Sequence, residues 1–158
     1  MQRWSQEMND PRIHVIEYPV TNDKKVDQKA YKACSQEARK GGSKWLAALE
    51  LDEFLVLKKH DNIEDFASEH IPEGQLAINL QSFGTSGRAI SKPLPVSLRF
   101  QCRISSFKKN FIKSIVHVDD LNFAETVTST CVFPLLAGRN LVDTNGAKVK
   151  SNQHDGPR

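Results

Sequence analysis

The chain has 158 residues, 39% of them hydrophobic and 26% charged, with a net charge of +3. That length supports one domain with its own core, and the charge is too small and too scattered for a nucleic-acid surface. No run approaches the roughly 18 apolar residues of a membrane span, and the polar opening MQRWSQEMNDPR has no signal-peptide core.

Residues 13–20, IHVIEYPV, are rich in β-branched types and predict a strand. Asp27 is a candidate N-cap for a helix over residues 28–40, with Ala30, Tyr31, Cys34 and Ala38 on its apolar face. Gly41 and Gly42 end that helix. Residues 45–51, WLAALEL, form a near-continuous apolar run that predicts a buried parallel strand. Strand, helix and strand together predict a βαβ unit with a right-handed crossover.

Asn62 opens a short helix over 62–70, with Ile63, Phe66 and Ala67 inward. Residues 71–74, IPEG, break it. A strand follows at 75–83, then a tight turn at 84–87, an extended stretch around Pro93 and Pro95, a strand at 111–118 and a short one at 131–136. Asn145-Gly146 is a strong hairpin signal. The tail 151–158 reads as disordered, which leaves a single domain over 1–150. The expected class is α/β with a mixed sheet.

Three cysteines, Cys34, Cys102 and Cys131, have no metal-binding spacing and allow at most one disulfide. Lys108, Lys109 and Lys113 are the densest basic group and read as a solvated strand edge.

The chemical signal lies in KWLAALELDEFLVL, where Glu50, Asp52 and Glu53 interrupt the most apolar segment. In a strand, Glu50 and Asp52 share a face at the carboxyl end, where open α/β sheets bind ligands. Like charges a few ångströms apart need neutralising, and Mg²⁺ or Mn²⁺ prefers carboxylate oxygen. The plainer alternative is a solvated turn in which Glu50 pairs with a lysine such as Lys44 or Lys58.

The pattern Trp45, Leu49, Glu50, Leu51, Asp52, Glu53, Phe54, Leu55 resembles a motif of the glycosyltransferase family 92 and glycosyltransferase family 2-like group. Further segments match that group in order. They are the helix residues Gln28, Tyr31 and Cys34, Phe83-Gly84-Thr85-Ser86-Gly87, Arg99-Phe100 with Arg103, Lys113-Ser114-Ile115-Val116, and Val142-Asp143-Thr144-Asn145-Gly146. The resemblance runs from about Ile13 to Lys150.

It implies a GT-A-type fold that transfers a sugar from a nucleotide-sugar donor, a UDP-sugar, to a glycan or other acceptor with Mn²⁺ or Mg²⁺. Glu50 and Asp52 would then hold the metal. Glu53, Gly84, Ser86, Gly87 and His117 would line the donor site. Asp119 and Asp120 are candidate general bases, because an acceptor hydroxyl needs a carboxylate within hydrogen-bond reach.

The chain departs from the group's pattern at Glu50, where Asp is usual, and at His117, where Arg is usual. It also has Ser129, Thr130 and Cys131 where a His is expected. Only about a dozen residues, most of them polar, precede Ile13, too few for the first βα element that a GT-A domain normally has, so the expectation is an N-terminally short domain, Golgi- or membrane-associated at full length. A catalytically inactive glycan-binding or scaffold module is the alternative.

Overall fold

The computed structural model describes residues 10–16, 26–84, 87, 95–100, 102–103, 112–125 and 132–149. Helix α1 (Val26–Lys40) forms where the periodicity predicts it, beginning one residue before Asp27. It stops because Gly42 adopts a left-handed φ of 73°. Ser43 N–H then reaches back to the Ala38 carbonyl at 3.0 Å and Gly42 N–H to that of Arg39 at 3.1 Å, which satisfies the helix's last acceptors. Helix α2 (Ile63–His70) is capped by Asn62, whose side chain accepts from the Asp65 N–H at 2.8 Å. Ala67 and Phe66 face inward as expected, whereas Ile63 is exposed.

The sheet has strands β1 (Trp45–Ala47), β2 (Gln75–Asn79), β3 (Ile112–His117) and β4 (Leu141–Val142), in the order β1-β3-β2-β4. A helical turn, α3 (Val96–Arg99), lies between β2 and β3 in the chain. Strand β3 is antiparallel to both β1 and β2, and β4 runs parallel to β2. The sheet is therefore mixed and the class is α/β.

Strand β3 is buried on both faces because each is covered. Val116 joins Ala48, Val118, Leu121 and Phe133, with Tyr31 of α1 packed against them. Ile115, one residue earlier and so on the opposite face, joins Leu76, Ile71 and Ala67 of α2. Gln75 is fully buried. Its amide oxygen accepts from the Phe133 N–H and the Ser114 hydroxyl, and its nitrogen donates to the Phe133 carbonyl, tying β2 to the segment after residue 131.

Three expectations need correction. Residues 13–16 are not a strand: Val15 and Ile16 are exposed and pair with no strand among the described residues, and β-branched composition makes a strand only where a partner and a core are present. Residues 17–20 lie outside the described residues, so no βαβ unit is seen. The run 45–51 is not a buried parallel strand either. Strand β1 has three residues, sits at the edge of the described sheet and pairs antiparallel, and Leu51 is 80% exposed. Lys113 is not on a solvated edge but in the central strand.

The hairpin at Asn145-Gly146 forms as predicted. Gly146 has φ 78°, Val142 pairs with Lys148, and the Asp143 carboxylate accepts from the Asn145 and Ala147 N–H groups. Cys34 and Cys102 are not bonded to one another, and Cys131 and the tail 151–158 lie outside the described residues. No helix among the described residues is long and apolar enough to cross a membrane.

Candidate functional site

Glu50, Asp52 and Glu53 occupy a turn, not a strand, so the shared face expected of Glu50 and Asp52 does not apply. Strand β1 ends at Ala47, and the chain reverses where Glu53 N–H donates to the Glu50 carbonyl at 3.0 Å. The Glu53 carboxylate returns to accept from the Glu50 N–H at 2.9 Å, which closes the turn on itself. Past the turn, Leu55 faces the α2-side core while Phe54 and Val56 are exposed.

The partner of this turn is Lys113, not Lys44 or Lys58. Its ammonium lies 3.0 Å from Glu53 and 3.4 Å from Glu50. The Lys113 side chain is 9% exposed and Glu53 14%, so water screens this contact weakly, while Glu50 is 62% exposed and held only from one side. Burying Lys113 in the central strand is tolerable because two carboxylates neutralise it. Asp52 is exposed, and no hydrogen bond or ion pair engages its side chain among the described residues. Three carboxylates against one ammonium leave the turn negative, with its free acid facing water.

That charge balance fits a hard divalent cation in part. Asp52 and the outward side of Glu50 offer oxygen ligands of the type Mn²⁺ and Mg²⁺ take. Glu53 does not fit as a ligand: one of its oxygens already holds both the Glu50 N–H and Lys113.

The glycine loop is described at its two ends. Gly84 N–H donates to the Cys102 carbonyl at 3.0 Å, and Phe83 bridges Arg103, so the segment around residue 84 is tied to the segment around residue 103. Gly87 has φ 74°, a conformation that suits glycine, and Ser86 lies outside the described residues.

The remaining candidates sit elsewhere. His117 ends β3 and pairs with Trp45, its ring edge-on to the indole at 6.4 Å. Asp119 is exposed in the 3₁₀ turn Val118–Asp120 that follows. Asp120 is buried, with one carboxylate oxygen accepting from Gly74 N–H at 2.6 Å and the other from Arg139 Nε at 2.6 Å. Arg139 also pairs with Glu73. His117 N–H donates to the Gly74 carbonyl, which places this whole group at the amino end of β2.

Lys113 and His117 are four residues apart along β3, about 13 Å at the strand rise. The structure therefore brings Glu50, Glu53 and Lys113 together and leaves His117, Asp119 and Asp120 at the other end of the sheet. Sequence reasoning missed Lys113 as a site residue. Its signal was a lone cation inside the apolar run FIKSIVHV, which calls for a buried counter-charge.

A second side-chain group lies beside α2, where His60 Nε2 is 2.8 Å from Glu69 and His70 Nε2 is 3.7 Å from it. A cleft of about 290 Å³ borders it, lined by Glu69, His70, Glu73, Asn140 and Asp143 among others.

No family model, curated protein or solved structure matches the chain.

Proposed function

We propose that the chain is a GT-A-type glycosyltransferase related to the family 92 and family 2-like group, transferring a sugar from a UDP-sugar donor to a glycan or other acceptor. The observation that carries this reading is the meeting of two motifs that first suggested it. Lys113 of the K-S-I-V segment contacts Glu50 and Glu53 of the E-L-D-E-F segment, 63 positions away in sequence from Glu50. The tie between Gly84 and Cys102 supports it in the same way, by drawing the F-G-x-S-G and R-F-x-x-R segments together.

In this reading Asp52 and the exposed side of Glu50 hold Mn²⁺ or Mg²⁺, which when bound supplies positive charge opposite the departing diphosphate. Lys113 offsets one of the turn's negative charges and leaves the rest to be offset by the bound cation before the donor's phosphates. Glu53 holds the turn closed through the Glu50 N–H. Gly84 and Gly87 leave room for the donor to approach the backbone, and Ser86 lies between them in sequence. Golgi or membrane association belongs to the same reading.

The second reading is a non-catalytic glycan-binding or scaffold module on the same fold. It is favoured by the distance along β3 between the acid turn and the 3₁₀ turn, and by Asp120, whose two oxygens are already bonded.

Calorimetric titration with UDP, with and without Mn²⁺, tests both. The transferase reading expects Mn²⁺-dependent binding that weakens roughly tenfold or more in Asp52→Ala, since removing a charged contact to an ion or phosphate costs about 1.5–3 kcal/mol. Binding that ignores the metal or the substitution overturns the site. Binding with no sugar transfer or donor hydrolysis selects the module.

A further inference from the structure

His60, Glu69 and His70 form a group that the donor-site reading does not use. His60 lies in the loop before α2, and Glu69 and His70 are that helix's last two residues. One donor atom from each lies within 4.8 Å of the others. Tetrahedral Zn²⁺ at about 2.0–2.1 Å from each ligand sets donor atoms about 3.4 Å apart, so small side-chain rotations complete the geometry.

The group is held from behind. Phe66 packs against the His60 ring at 5.4 Å and the His70 ring at 4.9 Å, while the two imidazoles stand edge to face at 5.5 Å. The histidines are 15% and 22% exposed and Glu69 is 64% exposed, so the imidazoles are seated and the carboxylate side is open. The negative end of the α2 dipole is at Glu69 and His70 and favours a cation there. The exposed Lys59 is felt by Glu69 but is screened by water.

The geometry points to a Zn²⁺ site made by His60 Nε2, Glu69 and His70 Nε2, with its fourth position open to solvent beside the cleft that Glu69 and His70 line. Two imidazoles and one carboxylate select Zn²⁺ over Mg²⁺, Ca²⁺ or Mn²⁺. Three protein ligands with one open position is the arrangement of zinc sites that bind water or a small anion. This site is separate from the acid turn and independent of the transferase reading.

Zn²⁺ alone is the probe. Calorimetry of the whole chain should show one saturable site, with affinity falling roughly tenfold or more in His60→Gln and in His70→Gln, since losing even a supporting partner of a ligand costs about that much. Asp52→Ala should leave it unchanged. In the wild-type protein, NMR should show Zn²⁺ shifting the imidazole resonances of His60 and His70 and sparing those of His14 and His117. Absence of saturable Zn²⁺ binding to the wild type, or wild-type binding that moves His14 or His117 in place of His60 and His70, overturns the proposal whether or not the variants fold.

Discussion

The two ends of β3 each carry a carboxylate–cation cluster, built for opposite purposes. At the His117 end, Asp120 is buried and both its oxygens are used, by the Gly74 N–H and by Arg139. At the Lys113 end, the cation is buried together with Glu53, while Glu50 and Asp52 face outward and Asp52 has no partner among the described residues. The first cluster closes a tertiary contact between three chain segments. The second leaves charge unspent at the surface. An acid with both oxygens engaged stabilises the fold, and one left over is available to a ligand.

Substitutions sharpen that contrast. The largest effect is expected at the closed end. Asp120→Ala leaves the buried Gly74 N–H without its acceptor and Arg139 with Glu73 alone, and should cost about 3 kcal/mol in urea unfolding. Gly74→Ala should cost roughly 2 kcal/mol or more, because Gly74 has φ 74° and a Cβ there would lie 2.6 Å from the Asn140 carbonyl oxygen.

An intermediate effect is expected at the open end. Lys113→Met keeps the stem but removes the charge, and should cost about 1–2 kcal/mol through the shielded Glu53. A double-mutant cycle should find Lys113 coupled to Glu53 more strongly than to the exposed Glu50, whose share is under about 0.5 kcal/mol. If Lys113→Met costs as much as Asp120→Ala, the open end is a structural staple as well and its role as a ligand site fails.

The smallest effect lies outside both clusters. The Glu69 carboxyl is held below its ordinary value of 4.5, chiefly by the His60 hydrogen bond and secondarily by the charges of His60, His70 and Lys59. A lowered acid stabilises the fold above its unfolded value and loses that contribution as pH falls through the folded one. The stability difference between wild type and Glu69→Gln should therefore be present above the ordinary carboxylate range and fade as pH falls below it. A difference that grows on acidification contradicts the sign.

Local chemistry was readable where one segment carries it alone. The α1 stop at Gly42, the Asn62 cap of α2, and the hairpin at Gly146 follow from residues within a few positions of one another. So do the places of β2 and β3, although β2 ends at Asn79 and not near Phe83, where its pairing with β3 runs out. The acids at 50, 52 and 53 were also visible as an anomaly. Their counter-charge was not, because Lys113 reaches them only after β1 and β3 pair. The same limit hid Asp120, whose partners Gly74 and Arg139 lie 46 and 19 positions away. His60 and His70 sit ten residues apart, a spacing that gives no periodic signal until α2 folds back against the loop before it.

The amino-acid sequence by itself determined helices α1 and α2, the glycine turns and where charge interrupts apolar runs, because propensity, capping and glycine geometry act over a few residues. Tertiary structure decided which strands lie at the edge and which at the centre, and which acid is spent on the fold and which is left exposed. Those outcomes depend on what covers each face and on which distant cation arrives within about 3 Å, and pairing over tens of residues leaves no mark in a local pattern.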